Sequence, residues 1–277
     1  MGEVGTARAA AASESMRLNN KMKLSAMALL VAGLIGLAPI SIAQPPPQQS
    51  APDPIPPVAN PQSVFERAVD MYVAKKYSTA LVAFQEAAAG GIKEAAAYLG
   101  VMYSEGQGTR PKYAEAMAWL RKAAMAGDPQ AMCNIGILYY RGLGVPQRYD
   151  LAMQWFRDGA AAGSGQAMFN IGVMYRDGVG EKVDFTEAMK WFVKASITGN
   201  DKAMNSAGAM YRNGQGVAAD YVEAARWYRQ AADLGNPDAM YNLGMLYKQG
   251  LGVPQDEAEA RKWLLMASEK GTDSASQ

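Results

Sequence analysis

Four cations in this chain are spaced so that they could share one task. Arg176, Arg212 and Lys248 follow one another at intervals of 36 residues, and Arg141 lies one place beyond the same position in the preceding interval. Such a series predicts a ladder that holds carboxylates, the arginines in the bidentate geometry of a planar fork. The matching partner is a protein or peptide with an acidic segment. The same positions also suit a cation at the end of a helix, where the dipole alone contributes about 0.3–1 kcal/mol without any partner. Asp177, beside Arg176, offsets one of these charges. Asn134, Asn170 and Asn242 form a second column on the 36-residue ruler. An amide side chain both donates and accepts, which suits asparagine either to the backbone of an extended peptide or to tying two helices together. Phe169 and Tyr241, each one residue earlier, complete nine candidate contacts on one expected groove. Their column also holds Cys133 and Asn205, and Ile137, Val173, Ala209 and Met245 are expected to face the same way.

Other chemistries lack their side chains. The chain has no histidine, the usual general acid–base near neutral pH and the commonest metal ligand. Its single cysteine, Cys133, cannot form an intrachain disulfide or a cysteine-rich metal site, and reads as a small buried hydrophobe on a helix. A net charge of +1, without a basic–aromatic patch, gives nothing to neutralise phosphates, so no nucleic acid is expected. A Gly-x-Gly phrase recurs, yet it follows helical patterns, lacks a third glycine and has no Lys-Ser/Thr after it, so no nucleotide and no cofactor are expected. No catalytic residues can be assembled.

These columns are carried by a repeat. Gly100, Gly136, Gly172, Gly208 and Gly244 are 36 residues apart, as are Tyr103, Tyr139, Tyr175, Tyr211 and Tyr247. All five tryptophans, Trp119, Trp155, Trp191, Trp227 and Trp263, obey the same spacing. A fixed period without drift predicts stacked units and not one closed core. Within a unit, Met132, Ile135, Gly136 and Tyr139 make one helical stripe and Ala152, Trp155, Phe156 and Gly159 another. Between them, Gly142 is placed to stop the first helix in a left-handed conformation, and Gly144 to keep the turn tight. A glycine in mid-helix costs about 1 kcal/mol against alanine, so the column of Gly136 predicts helix backbones too close for a Cβ. Asp184, Asp220 and Asp256 are placed as N-caps of second helices, a position held by Lys112 and Arg148 elsewhere. Gly127, Gly163, Gly199 and Gly235 are expected to end those helices.

The pattern Ala-x-x-Asn-x-Gly-x-x-Tyr-x-x-Gly-x-Gly-Val, then Asp-x-x-x-Ala-x-x-Trp-Tyr/Phe-x-x-Ala and Gly, clearest in 131–163 and 203–235, resembles the Sel-1-like repeat family of the tetratricopeptide superfamily. The resemblance covers 93–271, five 36-residue repeats, and 63–92 is similar to a tetratricopeptide-type capping helix pair. It implies an all-α fold: a right-handed α-solenoid of stacked antiparallel helix pairs, about twelve helices, with the first helix of each pair on a concave surface. It also implies a non-enzymatic scaffold or regulator that binds a partner peptide or protein there. Some secreted relatives resemble penicillin-binding or β-lactamase-type enzymes, but they carry a cysteine pair in each repeat, which this chain lacks. Others serve as assembly platforms for envelope polysaccharide or cell-division machinery.

The ends read differently. Residues 1–43 contain a basic stretch with Arg17, Lys21 and Lys23, the apolar run LSAMALLVAGLIGL and the small-x-small site Ser41-Ile42-Ala43, the parts of a secretory signal peptide cleaved after Ala43. The segment before Met16 reads as neither signal nor domain, which makes Met16 or Met22 an expected alternative start of translation. The expected location is periplasmic or secreted, with inner-membrane anchoring by an uncleaved segment as the alternative. Residues 44–62 hold eight of the 14 prolines and are expected to form a linker, and 272–277 a polar tail. Leu265 and Met266 stand where other repeats are mostly polar, which marks the end of the stack as a surface for self-association or another partner.

Overall fold

The computed structural model describes residues 60–275, so the signal, most of the linker and residues 276–277 lie outside the described residues. Six consecutive helix pairs make up the described chain: α1 (Pro61–Val73) with α2 (Tyr77–Ala89), α3 (Ala95–Glu105) with α4 (Tyr113–Met125), and α5 (Pro129–Arg141) with α6 (Tyr149–Ala161). They continue as α7 (Gly165–Asp177) with α8 (Phe185–Ile197), α9 (Asp201–Asn213) with α10 (Tyr221–Asp233), and α11 (Pro237–Gln249) with α12 (Glu257–Ala275). Each helix packs on its pair-mate and then on the next pair, without a strand among the described residues, giving a right-handed α-solenoid.

Helix ends are fixed by side chains on the 36-residue ruler. Asp128, Ser164, Asn200 and Asn236 cap the first helices by accepting from the N–H groups of Ala131, Ala167, Ala203 and Ala239 at 2.7, 3.2, 2.8 and 2.8 Å. This column was not read from the sequence. The second helices are capped by Asp184, Asp220 and Asp256, whereas Lys112 and Arg148 make no such bond. Gly142 ends α5 at φ 68°, its N–H on the Leu138 carbonyl, and Gly144 turns the chain at φ 70°. A side chain at Gly144 would overlap Tyr113 of the preceding repeat, so this second glycine also lets the turn rest against its neighbour. The Arg148 N–H then closes the joint on the Tyr139 carbonyl at 3.0 Å.

The mid-helix glycine has a different reason from the one expected. A Cβ on Gly136 would meet the Phe156 ring at 2.6 Å, on Gly172 the Phe192 ring at 2.6 Å, and on Gly208 the Tyr228 ring at 2.8 Å. The column is therefore a socket for the residue that follows each tryptophan. These rings are buried in the core, while most of the tryptophans lie partly buried between successive pairs.

Two boundaries move. Helix α1 starts at Pro61, inside the expected linker, because Asn60 accepts from the Gln62 N–H and proline suits the first turn. Helix α12 runs on through Gly271 to Ala275, so residues 272–275 of the expected tail continue a helix.

Pairs are also joined on the side of the second helices. Gln85 donates to the Tyr103 hydroxyl, Arg121 to that of Tyr139, Arg157 to that of Tyr175 and Arg229 to that of Tyr247, always across 18 residues. Val193 occupies the corresponding position before Tyr211 and leaves that joint without the bond.

Candidate binding face

Successive first helices touch one another directly. Gln130 of α5 accepts from the Ser164 hydroxyl at the start of α7 at 2.5 Å, and Asn236, the cap of α11, donates to Asp201 of α9 at 2.7 Å. Helix α5 also packs directly on both α3 and α7. Two clefts open between the first helices.

The cleft between α5 and α7 is lined by Ile137, Tyr140 and Arg141 on one side and Gln166, Asn170 and Val173 on the other, with the Phe156 ring beneath. Gln166 is only 8% exposed; its Nε2 donates to Asn170 Oδ1 at 3.1 Å, and the Asn170 amide reaches the Cys133 sulfur at 3.5 Å. Burial pushes the Cys133 thiol up to about 12, which keeps it protonated at neutral pH. At the mouth, Tyr140 lies edge-on to Tyr149 at 5.4 Å, and burial, with Tyr149 and Asp177 nearby, raises its hydroxyl above the ordinary value against the opposing pull of Arg141 and Arg176.

The cleft between α9 and α11 is lined by Arg212 and Tyr221 opposite Tyr241, Asn242, Met245 and Gln249. Its polar groups bond one another: Arg212 Nη1 donates to Asn242 Oδ1 at 3.3 Å, and Asn242 Nδ2 donates to Asn205 Oδ1 at 3.0 Å. Behind them, Tyr228 stands where Phe156 stands in the other cleft; its hydroxyl is buried without a hydrogen-bond partner among the described residues and raised by burial to about 12, with Arg212 pulling it back.

The nine expected contacts therefore separate. Arg141 and Asn170 meet in the first cleft, and Arg212, Tyr241 and Asn242 in the second. Tyr241 is 54% exposed. Asn134 is half-buried in α5, and Lys248 is exposed in the last turn of α11. Phe169 does not face a groove: it is 6% exposed and packs on Phe192 of its pair-mate helix at a centroid distance of 5.7 Å, unlike Tyr241 in the same column. Cys133 is buried as well. The cation ladder is broken, since the Arg176 fork closes on neighbouring Asp177 at 2.6 and 3.0 Å and Arg212 is held by Asn242. In the amide column, Asn170 and Asn242 tie neighbouring first helices together, through the Cys133 sulfur and Asn205, one of the two roles that spacing had left open. Gln166 was missed because its column holds glutamine only at 130 and 166; position 202 holds lysine and 238 aspartate. At the end of the stack, Leu265 is 59% exposed, whereas Met266 packs partly against the core of α10 and α11.

A right-handed stack of antiparallel helix pairs with a side-chain-lined inner face is an α-solenoid repeat protein. The Sel1 repeat matches residues 93–128, 129–164, 165–199, 201–236 and 237–272, and the chain belongs to the Sel1 repeat family. A solved Sel1 repeat protein from Oxalobacter formigenes is 33% identical, with a TM-score of 0.69 over 76% of this chain and 88% of that one. A protective antigen present in uropathogenic Escherichia coli strains, with the same repeat fold, is 30% identical at a TM-score of 0.63 over 77% of this chain; the match spans about half of the antigen, 49% of its length. An immunity protein from Pseudomonas aeruginosa, 19% identical at a TM-score of 0.58 over 82% of this chain and 85% of that one, shares the fold. No curated protein matches the chain's sequence. Sel1 repeat proteins are generally protein-interaction scaffolds, and their solenoid is typically non-enzymatic.

Proposed function

We propose that this chain is a non-enzymatic periplasmic scaffold that holds a segment of a partner protein along the face formed by its first helices. The observation that carries this reading is the pair of clefts between α5 and α7 and between α9 and α11, which open on one side of the stack and combine apolar walls with cations, amides and tyrosines. Concave sites that mix apolar walls with a few placed polar groups are where proteins take ligands. The signal-like residues 1–43 support export and a mature chain that starts at Gln44. A photocrosslinking residue in place of Tyr241 tests the reading in the cell. Crosslinks to a distinct protein from position 241, and none from Val193 on the opposite side, support it; equal labelling from both positions contradicts it.

The exposed Leu265 favours a second contact. Earlier repeats place Gln85, Arg121, Arg157 or Arg229 at this position to reach the next tyrosine hydroxyl, and Leu265 presents an apolar side chain there instead. A second copy of the chain would cover it. Light scattering is then expected to show a dimer that Leu265→Glu splits; equal monomeric masses for both proteins would rule the contact out.

A further inference from the structure

The cleft between α5 and α7 ends in an unfinished hydrogen-bond chain. It runs from the Cys133 sulfur through the Asn170 amide to Gln166 Nε2, and stops at Gln166 Oε1, which is buried and has no partner among the described residues. A buried acceptor left unpaired is unfavourable by more than a typical hydrogen bond contributes, and this one belongs to a side chain more than nine-tenths buried in the lining of the cleft. Whatever fills the cleft must bring a donor to that oxygen. The surroundings narrow the choice. Ile137, Val173 and Phe156 present apolar surface, which favours an aliphatic side chain, and Arg141 stands at the mouth, exposed and without an ion pair among the described residues. The other arginine nearby, Arg176, is already closed on Asp177.

We infer that this cleft is a subsite for an extended peptide: an aliphatic side chain enters between α5 and α7, its main-chain N–H donates to Gln166 Oε1, and a neighbouring carboxylate is held by Arg141. An extended peptide supplies all three features in consecutive residues, since each residue carries one N–H donor. The inference rests on the scaffold reading and deepens it. It assigns recognition to Gln166 and Arg141 and gives Asn170 the part of positioning Gln166.

Random peptides displayed on phage, selected on the purified chain, provide the probe, and the most enriched sequence is then synthesised. The enriched peptides are expected to pair an aliphatic residue with an adjacent aspartate or glutamate. Gln166→Leu is expected to weaken the synthetic peptide about tenfold or more, because the N–H loses its acceptor on binding. Arg141→Gln, at an exposed position that leaves the fold alone, is expected to remove the acidic preference and flatten the salt dependence. Arg226→Gln, on exposed α10 surface paired with Glu223, is expected to change nothing. Circular dichroism confirms that each variant is folded. If the peptide binds folded Gln166→Leu and Arg141→Gln as it binds the parent, the cleft assignment is overturned while the scaffold reading stands. If free N-acetyl-leucine competes as well as the peptide, the cleft takes a small molecule and the inference fails. If no peptide is enriched it fails too, and crosslinking from position 241 decides the scaffold reading separately.

Discussion

The α5–α7 and α9–α11 clefts occupy the same place in the repeat and differ in almost everything that faces into them. In the first, Ile137 and Val173 line apolar walls over Phe156, and Gln166 Oε1 waits for a donor. In the second, Ala209 replaces Ile137, Tyr228 replaces Phe156, and Arg212, Asn242 and Asn205 satisfy one another. The backbone is common because glycine, tyrosine and tryptophan columns fix it. What differs between the clefts lies in positions that change from repeat to repeat.

The largest effect is expected where the two clefts share a frame. Gly136→Ala brings a Cβ to 2.6 Å from the Phe156 ring, and Gly208→Ala to 2.8 Å from the Tyr228 ring and 3.2 Å from the Ala224 carbonyl. Overpacking of this kind costs about 1–3 kcal/mol, offset in part by the better helix propensity of alanine. Denaturant unfolding is expected to show both variants destabilised. Adding Phe156→Leu should recover part of the loss in Gly136→Ala, whereas the backbone contact at Gly208 leaves less to recover. Equal recovery in both would erase this difference between the clefts.

A smaller effect separates them by one oxygen. Tyr228→Phe removes a buried hydroxyl that has no partner among the described residues, and is expected to stabilise the chain by about 1 kcal/mol. The pH dependence has a definite sign. In the fold the hydroxyl is raised from 10.0 to about 12, so its titration leaves stability unchanged below about pH 10 and lowers it as pH rises from about 10 to 12. Urea titrations across that range should show a shallower alkaline decline for Tyr228→Phe; an unchanged slope would mean that the hydroxyl reaches water.

The smallest effect lies at the joint between the two clefts. Val193→Arg supplies the bond to the Tyr211 hydroxyl that the other repeat joints make, and exposed contacts of this type contribute about 0.2–1 kcal/mol. A melting temperature that rises slightly, or not at all, fits; a fall would show that Val193 is packed for another purpose.

The frame was legible because periodicity reports what every repeat needs: the glycine joint, the caps at Asp184, Asp220 and Asp256, and the Gly136 column were all visible as spacing. The reason for Gly136 was not, since a gap in a pattern does not say whether a backbone or the ring of Phe156 fills it. The caps Asp128, Ser164, Asn200 and Asn236 also keep the 36-residue interval, yet three residue types in one column hide a single hydrogen bond. The binding face was read less well for a physical reason. Spacing places Arg176, Arg212 and Lys248 alike, but Asp177 and Asn242 engage two of them through contacts of one residue and of thirty. Gln166 carries the most specific feature of the face and shares its column with glutamine only at position 130.

The central claim, that an extended partner peptide enters the α5–α7 cleft, is met most directly by the side-chain amide resonances of the nitrogen-15-labelled chain on addition of the enriched peptide. The account predicts that the Gln166 and Asn170 amides shift while those of Asn205 and Asn242, already bonded to each other, stay in place. Shifts confined to Asn205 and Asn242, with Gln166 unmoved, would contradict it.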